Sequence, residues 1–401
     1  MPGTARRQRA DGATRLSHTI LYAGGFVLPD RSASAQRVRE NANLFRSIGY
    51  DVVIMGKLPN GAHESSIDGF RCVDIQSPVE GRAFRPYALD AASVIAVAES
   101  IPRHRLAGIV AYNYPAPGLA SLIRHAHAFK IPIVAEVTDW HGFDGPNLYV
   151  KMQKLWWSDR LYRVLAPRSR NIICATRKVA RVYSACNVLT LPFAIDADAP
   201  KWSPALIARD ASIRRFVYAG KPGAAIRKDR LDRIVEAFAM VHARGGVFEL
   251  VMVGVTQGEF IEQLPGLAPE IARMGNSIKF LGRVPHADAL REVASSDFTV
   301  LLRLRTKANE IGFPTKIVEA FGCGVPPVVN DTSDIGLYVR DGVNGILVRG
   351  TQTALLAEAI ERAITTETSA LEQMKQSCRQ ENPFRFTHFQ QAARDFFNNL
   401  Q

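Results

Sequence analysis

Short apolar runs bounded by turn residues alternate with segments of helical length along most of the chain. The runs in the first half are HTILYAGG, DVVIMGK, GIVAYNY, IPIVAEV and NIICAT, and those in the second half are RRFVYAG, FELVMVG, SIKFLGR, DFTVLLR and PPVVN. Continuous apolar runs of this length are typical of strands buried on both faces, and the intervening helical segments favour a parallel sheet covered by helices on both sides. The pattern predicts an α/β protein.

The helical pattern is clearest in AQRVRENANLFRSIGY, where Gly49 stands at the expected stop and one face carries Val38, Asn41, Phe45 and Ile48. After LPFAID, residues 191–196, the alternation of strands and helices starts afresh. At about 150 residues per domain, a chain of 401 residues has room for two or more domains. We therefore predict two Rossmann-like doubly wound domains that face each other across a cleft.

Cysteine usage and the terminal sequence predict a protein of the reducing cytoplasm. The five cysteines lie far apart and form no C-x-x-C pair, so neither a disulfide framework nor a zinc cage is indicated. The start, MPGTARRQRADGATR, lacks the apolar core of a signal peptide, and we expect residues 1–14 to be a disordered tail. No apolar run approaches the length of a membrane span.

The net charge of +12 is concentrated in residues 1–200, which hold 25 Lys and Arg against 16 Asp and Glu. Such a bias attracts nucleic acid, anionic lipid headgroups or phosphorylated substrates, and a solvated basic surface without a partner is the alternative. No base-stacking or basic-helix motif accompanies the charge, so a nucleic-acid partner is not expected.

Candidate chemistry lies in the loops that follow the predicted strands, because ligands of open α/β sheets bind beyond the carboxyl ends of the strands. In AGGF, Gly24 and Gly25 suit either a plain tight turn or a close approach of the backbone to an anion. The full G-x-G-x-x-G and G-x-x-x-x-G-K-[ST] patterns are absent. A nicotinamide dehydrogenase and a P-loop NTPase are therefore disfavoured.

Two lysines in AGKPGAAIRKD, Lys221 and Lys228, stand between a strand and a helix. Two ammonium groups at this place can bracket one diphosphate and stabilise the charge of a departing phosphate group. The alternative is that both lysines are simply solvated.

Four motifs, in order, resemble those of one family: AGGFVLPDRSASAQRVRENANLFRSIGYDVVIMG, YAGKPGAAIRKDRLDRIVEAF, FLGRVPHADALREVASSDFTVLL and PTKIVEAFGCGVPPVVNDTSDIGLYVRDGVNGILV. They resemble the retaining glycosyltransferases of GT-B fold, a large family that includes bacterial sugar transferases of surface-polysaccharide synthesis. The resemblance implies that the second domain binds a nucleotide sugar of the UDP or GDP type as substrate, without a cofactor. It also implies that Lys221 and Lys228 hold the diphosphate.

The resemblance further implies that Glu319 binds the ribose hydroxyls, while the helix start at Thr315 and Lys316 faces the phosphates. Donor contacts are also expected from Arg283 and Val284 in LGRVP, and Gly24 and Gly25 are expected at the donor in the cleft. A solvated Lys and Glu pair on one helical turn is the alternative for Lys316 and Glu319.

Two positions depart from the family pattern. A first glutamate often precedes the second by eight positions, but Ile311 occupies that place here and the adjacent acid is Glu310. Lys221 stands where arginine is common, and lysine contacts phosphate as a point charge without the bidentate fork. A donor-sugar contact by Glu310 therefore stays an open question.

In EVTDWHG, the resemblance makes His141 the candidate for orienting the donor sugar and Asp139 the candidate for contacting an acceptor hydroxyl. Loop capping is the alternative for both residues. With Lys228, they form the predicted catalytic set. No metal constellation is apparent in the sequence, and none is required if lysines neutralise the diphosphate.

The segment KMQKLWWSDRLYRVLAPRSR, residues 151–170, is both basic and aromatic, as an interfacial helix is. Contacts with lipid or a lipid-linked acceptor are expected from Trp156, Trp157, Leu161 and Tyr162. The alternative is an ordinary aromatic stripe that faces the core. The C-terminal NPFRFTHFQQAARDFFNNL is expected, by the resemblance, to cross back onto the first domain.

The sequence thus predicts a first, acceptor-side domain over residues 15–195, a nucleotide-sugar-binding domain over 196–380, and a returning C-terminal helix over 381–401. The predicted activity is that of a retaining hexosyltransferase that acts on a saccharide or lipid-linked saccharide, in the cytoplasm or at the inner face of the cell membrane. A nucleotide-sugar epimerase of the same build and a non-catalytic nucleotide-sugar-binding protein are the alternatives.

Overall fold

The computed structural model describes residues 18–29, 33–75, 91–138, 148, 151–152, 156, 160–220 and 228–401. Its first half contains an eight-stranded sheet of order β3-β4-β2-β1-β5-β6-β7-β8, parallel except for the β3–β4 pair. The strands are β1 (Thr19–Val27), β2 (Asp51–Lys57), β3 (Glu64–Ile67), β4 (Phe70–Asp74), β5 (Leu106–Tyr112), β6 (Ile133–Val137), β7 (Asn171–Cys174) and β8 (Asn187–Thr190).

Alternate residues of β1 enter two different cores, since Leu21 and Ala23 belong to one apolar cluster while Ile20 and Tyr22 belong to the other. A strand with period-two side chains that is apolar throughout must be covered on both faces. The α-helices of this half whose bounds fall within the described residues are α1 (Ala33–Ser47), α2 (Ala91–Ser100), α3 (Ala116–Ala128) and α4 (Arg177–Val182).

The second half contains a six-stranded, fully parallel sheet of order β11-β10-β9-β12-β13-β14. Its strands are β9 (Arg214–Ala219), β10 (Phe248–Val253), β11 (Ile278–Gly282), β12 (Phe298–Leu301), β13 (Pro327–Asn330) and β14 (Ile346–Val348). Strand order reverses between β9 and β12, and this reversal creates the crevice in which doubly wound sheets bind ligands.

The described helices of this half, with the C-terminal helix, are α5 (Leu231–Ala243), α6 (Gln257–Gln263), α7 (Ala268–Met274), α8 (His286–Ala294), α9 (Lys307–Ile311), α10 (Thr315–Gly322), α11 (Thr353–Thr365), α12 (Thr368–Gln380) and α13 (Gln390–Asn398). Helix α5 packs against α11, whereas α10 packs against α8 and α12. Both groups of helices contribute side chains to one continuous apolar core.

The carboxyl ends of the two sheets face each other. Just beyond β7, Thr176 donates a hydrogen bond to the carbonyl of Ile311 at 3.3 Å, and the amide of Arg177 donates to the Asp334 carboxylate at 2.6 Å. Asp334 follows β13 at the matching edge of the second sheet. The predicted fold of two doubly wound domains that face a cleft is confirmed.

The chain crosses between the domains at two adjacent places. The amide of Ile195 donates to the carbonyl of Phe384, and the amide of Phe386 donates back to the carbonyl of Ile195, both at 2.8 Å. Beyond the second crossing, α13 packs on α1 and β8 of the first domain, as the fold prediction required. The domain boundaries after 195 and 380 remain predictions, and the tail at 1–14 lies outside the described residues.

Within the described ranges, no helix is both long and apolar enough to span a bilayer.

Helix α13 is held to the first domain mainly by Phe397, whose buried ring lies 4.9 Å from that of Phe45 and 5.1 Å from that of Tyr50. We predict that Phe397→Ala lowers the free energy of unfolding by about 3 kcal/mol, the range typical of a buried Phe-to-Ala change. Urea denaturation measures it, with the exposed Val247→Ala as the control. A loss below about 1 kcal/mol would show that α13 contributes little to the first domain.

Candidate functional site

A buried carboxylate lies at the crevice between β9 and β12. Asp229, just before α5, is 1% exposed and accepts three hydrogen bonds. Its Oδ2 receives the hydroxyl of Tyr218 at 2.8 Å and Nζ of Lys316 at 2.9 Å, while its Oδ1 receives Nε of Arg303 at 2.8 Å. One side chain therefore joins the ends of β9 and β12 to the starts of α5 and α10.

Two cationic side chains contact the single carboxylate of Asp229. Burial alone would raise its pKa, but Lys316 and Arg303 hold the pKa well below its usual value. Burial, together with the adjacent Asp229 charge, raises the pKa of Tyr218, so the phenol stays a donor. The cluster has a net charge of one positive unit, and its most exposed cation is Lys316, whose side chain is 19% exposed.

Gly220, the residue after β9, leaves room for this cation. A Cβ at position 220 would lie 2.7 Å from Nζ of Lys316 and would also overlap its Cε. A side chain at position 220 would therefore displace the end of the Lys316 side chain, which the ring of Tyr218 also flanks at 5.3 Å.

Glu319 lies one turn further along α10, with its side chain largely buried. Its Oε1 lies 3.4 Å from Nε2 of His286, the first residue of α8. The structure thus brings Lys316 and Glu319 to the same crevice, as their spacing predicted. No side chain caps the start of α10, which begins at Thr315 after Pro314.

The other donor-site candidates of the second domain lie around the same edge of the sheet. Lys228 is exposed directly before Asp229, and Lys221 lies outside the described residues. In the loop after β11, Arg283 is exposed with Nη2 at 3.8 Å from Oε1 of Glu259, and Val284 packs against the core. Their contacts with a donor remain predictions.

At the place where the family often has its first glutamate, Ile311 is buried among side chains of the first domain. The carboxylate of the adjacent Glu310 forms an ion pair with Lys178 and accepts the amide of Ser333 at 3.3 Å. Both residues therefore serve the contact between the domains.

The two glycines of the first domain lie within a strand and not in a turn, and their contact with a donor remains a prediction. Gly24 and Gly25 were expected in a turn after the strand, but β1 continues through them to Val27. A Cβ at Gly24 would lie 2.9 Å from the carbonyl oxygen of Tyr112 on the neighbouring strand. Close packing of β1 on β5 therefore explains Gly24, and the expectation of a tight turn was wrong.

A second buried carboxylate, Glu136, lies behind the first-domain edge of the cleft. It accepts Nε of Arg37 at 2.8 Å and the hydroxyl of Tyr22, and Arg37 also donates to the carbonyl of Leu191 at 2.7 Å. Burial, with the Glu136 charge, raises the pKa of Tyr22 well above its usual value. This network joins α1 and β6 to the segment that leads into the second domain.

The loop that carries the predicted residues Asp139 and His141 lies outside the described residues. Its starting point is fixed, because Thr138 and Asn113 exchange two hydrogen bonds of 2.9 and 2.7 Å. The roles of Asp139 and His141 therefore remain predictions.

The aromatic segment 151–170 divides into two parts. Trp156 is exposed, with the guanidinium of Arg160 at 5.2 Å from its ring, and Trp157 lies outside the described residues. For Leu161 and Tyr162 the sequence left two alternatives, lipid contact or a core-facing stripe, and both side chains are buried in the first-domain core. The backbone there forms a π-helix over Leu161–Leu165 that packs on α3.

Among the described residues, no group of three or more His, Cys, Asp or Glu side chains is arranged to hold a metal ion. The residues of the site that sequence reasoning missed are Asp229, Arg303, Tyr218 and His286. Asp229 and His286 directly follow the motif residues Lys228 and Pro285, and this adjacency was the available signal.

We predict that Asp229→Asn lowers the free energy of unfolding by about 3 to 5 kcal/mol at neutral pH, because two buried cations lose their counter-ion. A depressed carboxyl pKa stabilises the fold above the unfolded pKa of about 4, and this stabilisation is lost as the pH falls below it. The difference between parent and variant should therefore shrink as the pH falls from about 7 to about 3.

Urea titrations at several pH values test this prediction. The control is Asp232→Asn, which removes the more exposed ion pair with Arg230 at 2.6 Å and should cost less than about 1 kcal/mol. A difference for Asp229→Asn that does not depend on pH would contradict the role of its charge.

Residues 213–366, which contain this crevice, match the family model for group 1 glycosyl transferases. A curated relative, the D-inositol 3-phosphate glycosyltransferase of Rhodococcus erythropolis, is 35% identical over 71 residues. That match spans 18% of this chain and only 16% of the relative's length.

Solved structures match nearly the whole chain. Sucrose-phosphate synthase from Thermosynechococcus elongatus has a TM-score of 0.69 at 14% identity, over 96% of this chain and 99% of that one. Anabaena HepE in complex with UDP has a TM-score of 0.65 at 16% identity, over 95% and 100%. The UDP-forming trehalose-phosphate synthase of Burkholderia xenovorans has a TM-score of 0.65 at 12% identity, over 96% and 99%.

The TM-scores over nearly the whole chain establish the GT-B fold. The resemblance drawn from the four motifs is confirmed at the level of the fold, and residues 213–366 are similar to the domain of group 1 glycosyl transferases.

Proposed function

We propose that the protein is a retaining glycosyltransferase that moves a hexosyl group from a UDP- or GDP-sugar to a saccharide or lipid-linked saccharide in cell-surface polysaccharide synthesis. The proposal rests on two side chains of helix α10. These are Lys316, whose ammonium group is held by Asp229, and Glu319, whose carboxylate lies one turn further on. A cation suits a diphosphate and a carboxylate suits ribose hydroxyls, and the two lie one helical turn apart.

In this proposal Lys228 and Lys316 neutralise the diphosphate as it departs, and Lys221 adds a third cation. One solved neighbour supports a nucleotide donor, since HepE was crystallised with UDP and with UDP-glucose. The motif resemblance supports retention of the configuration at the anomeric carbon. His141 would orient the donor sugar and Asp139 would contact the acceptor hydroxyl.

Glu136 is the described first-domain carboxylate nearest in sequence to Asp139 and His141. It is a poor candidate for a nucleophile. Its two oxygens are occupied by Tyr22 and Arg37, and the residue is 1% exposed. We therefore propose that the bond from the anomeric carbon to the diphosphate breaks, that the acceptor oxygen bonds to that carbon, and that an oxygen of the departing diphosphate takes the acceptor proton. Cations around the diphosphate would stabilise the charge that this leaving group gains.

A lipid-linked acceptor is favoured by an exposed apolar stripe in the first domain. Leu148, Met152 and Trp156 follow one another at four-residue spacing and are 67%, 54% and 58% exposed. Arg160, at the next such position, lies over the Trp156 ring. Apolar side chains beside basic ones complement an anionic bilayer, in which the apolar groups enter the headgroup region and the cations face the phosphates.

An epimerase of the same build is the second candidate, because it would bind the same donor with the same residues. Incubation of the protein with UDP-sugars and GDP-sugars, with and without saccharide acceptors, separates the two. Release of nucleoside diphosphate that depends on an acceptor supports the transferase. A change of sugar configuration without such release supports the epimerase, and binding without either reaction leaves a binding protein.

We predict that Glu319 and Lys228 affect different steps. Glu319→Ala should weaken nucleoside diphosphate binding by roughly 1.5 to 3 kcal/mol, because hydrogen bonds to a charged group are lost in both ground and transition states. Lys228→Ala should lower the single-turnover transfer rate on the order of a hundredfold, since its charge matters most as the diphosphate departs.

Calorimetry with UDP or GDP and rapid-quench transfer measure the two effects. The control is Lys279→Ala, which removes an exposed lysine that pairs with Glu249 near the start of β11, remote from the crevice. Parent-like binding by Glu319→Ala would remove Glu319 from the donor site, and parent-like turnover by Lys228→Ala would do the same for Lys228.

We also predict that the protein binds vesicles of phosphatidylcholine and phosphatidylglycerol and that this binding weakens steeply with salt, because exposed charges are screened over about 8 Å at physiological ionic strength. Trp156→Ala should weaken vesicle binding roughly tenfold, since burying a large apolar side chain contributes about 1.5 kcal/mol or more. Vesicle sedimentation measures both effects.

The control for this experiment is Phe129→Ala, which removes an equally exposed aromatic ring, 58%, from the far end of α3. Equal affinity for neutral and anionic vesicles, or equal loss from both substitutions, would contradict the membrane surface while leaving the transferase proposal intact.

A further inference from the structure

His286 contacts the donor-site carboxylate from a neighbouring helix. It is the first residue of α8, directly after Pro285, and its Nε2 lies 3.4 Å from Oε1 of Glu319 on α10. Both side chains are partly buried, at 26% and 17% exposure, so neither is displayed freely to solvent. The contact joins the loop after β11 to the helix that carries Lys316.

We infer that His286 is a positioning residue, which fixes the carboxylate of Glu319 for the two hydroxyls of a nucleotide ribose. The inference rests on the proposed function, in which Glu319 binds that ribose. His286 itself lies outside the residues to which the motifs gave a role.

The chemistry of the pair supports this role. An ionised carboxylate only accepts hydrogen bonds, so the imidazole donates through Nε2. Each carboxylate oxygen has two acceptor directions, and a hydrogen bond to Oε1 leaves both oxygens able to accept from a ribose hydroxyl. A glutamate side chain that is held in one orientation loses less conformational freedom when the ligand binds.

The backbone around the pair is well suited to hold it. Pro285 fixes the backbone at the start of α8, and α8 packs directly on α10. One turn earlier on the same face of α10, Asp229 holds Lys316. Two separate contacts, one for the ribose carboxylate and one for the phosphate cation, thus orient the two proposed ligand groups of this helix.

The experiment compares ligands that do and do not carry ribose hydroxyls. Calorimetry measures the binding of UDP, and of its 2′,3′-dideoxy analogue, to the parent, His286→Leu, His286→Gln and Glu319→Gln, with GDP and its analogue as the second pair. His242→Leu is the matched control, because His242 lies in the last turn of α5 beside Phe248, away from the crevice. Circular dichroism and urea unfolding verify that each variant folds.

His286→Leu should weaken binding of the ribose nucleotide roughly three- to tenfold, the range for the typical net contribution of one intramolecular hydrogen bond, and should leave binding of the dideoxy analogue unchanged. His286→Gln places an amide donor near the position of Nε2 and should restore most of the affinity. His242→Leu should bind both ligands like the parent.

Equal weakening of both ligands by His286→Leu would overturn the inference, because it would assign His286 a structural role or a contact elsewhere on the nucleotide. Parent-like binding of UDP by His286→Leu would overturn it as well. If Glu319→Gln weakens UDP binding while the His286 variants do not, the proposed function stands and the inference fails. If the parent binds neither UDP nor GDP, both fail together.

Discussion

The crevice of the second domain depends on one buried negative charge that is shared by two positive ones. Asp229 cannot be removed from water without partners, since an isolated carboxylate in a protein interior is strongly destabilised. Arg303 and Lys316 supply those partners, and each is anchored to a different element beside the strand-order reversal. The ion pairs of Asp229, together with apolar packing, therefore set the position of α10 relative to β9 and β12. The position of α10 in turn sets the position of Glu319.

The architecture was predictable because long buried strands leave an unambiguous apolar signature. All ten apolar runs form strands, and α1 ends where Gly49 adopts a φ of 103°. The four strands that were not predicted are short or half-exposed: ESSI, FRCVD, NVLT and ILV span five residues at most, and the first of these alternates between exposed and half-buried residues. Such segments are strands only because an adjacent strand offers its hydrogen-bonding edge, and no local pattern records that.

The candidate site divides in the same way. The helical spacing of Lys316 and Glu319 was sufficient to place them together, since residues three apart share a helix face. The partners of that face, Asp229 and His286, are 87 and 33 residues away from Lys316 and Glu319, and sequence periodicity carries no information about such contacts. For Leu161 and Tyr162 the sequence left lipid contact and core packing open for a related reason: the π-helix at Leu161–Leu165 changes which side chains face inward, and a regular helical period does not represent it.

The paired chain crossings at Ile195 and Phe384–Phe386 restrict how the two domains can separate. Because the crossings are hydrogen-bonded to each other, a rotation about the line through them leaves both bonds intact, whereas sliding one domain over the other breaks them. The contacts of Thr176 and Arg177 lie off this line, at the cleft edge, and would part as the rotation opened the cleft. Opening would then bring Ile311 out of the first-domain core and into water, so the closed arrangement carries a hydrophobic restoring force at the residue where relatives often have an acid.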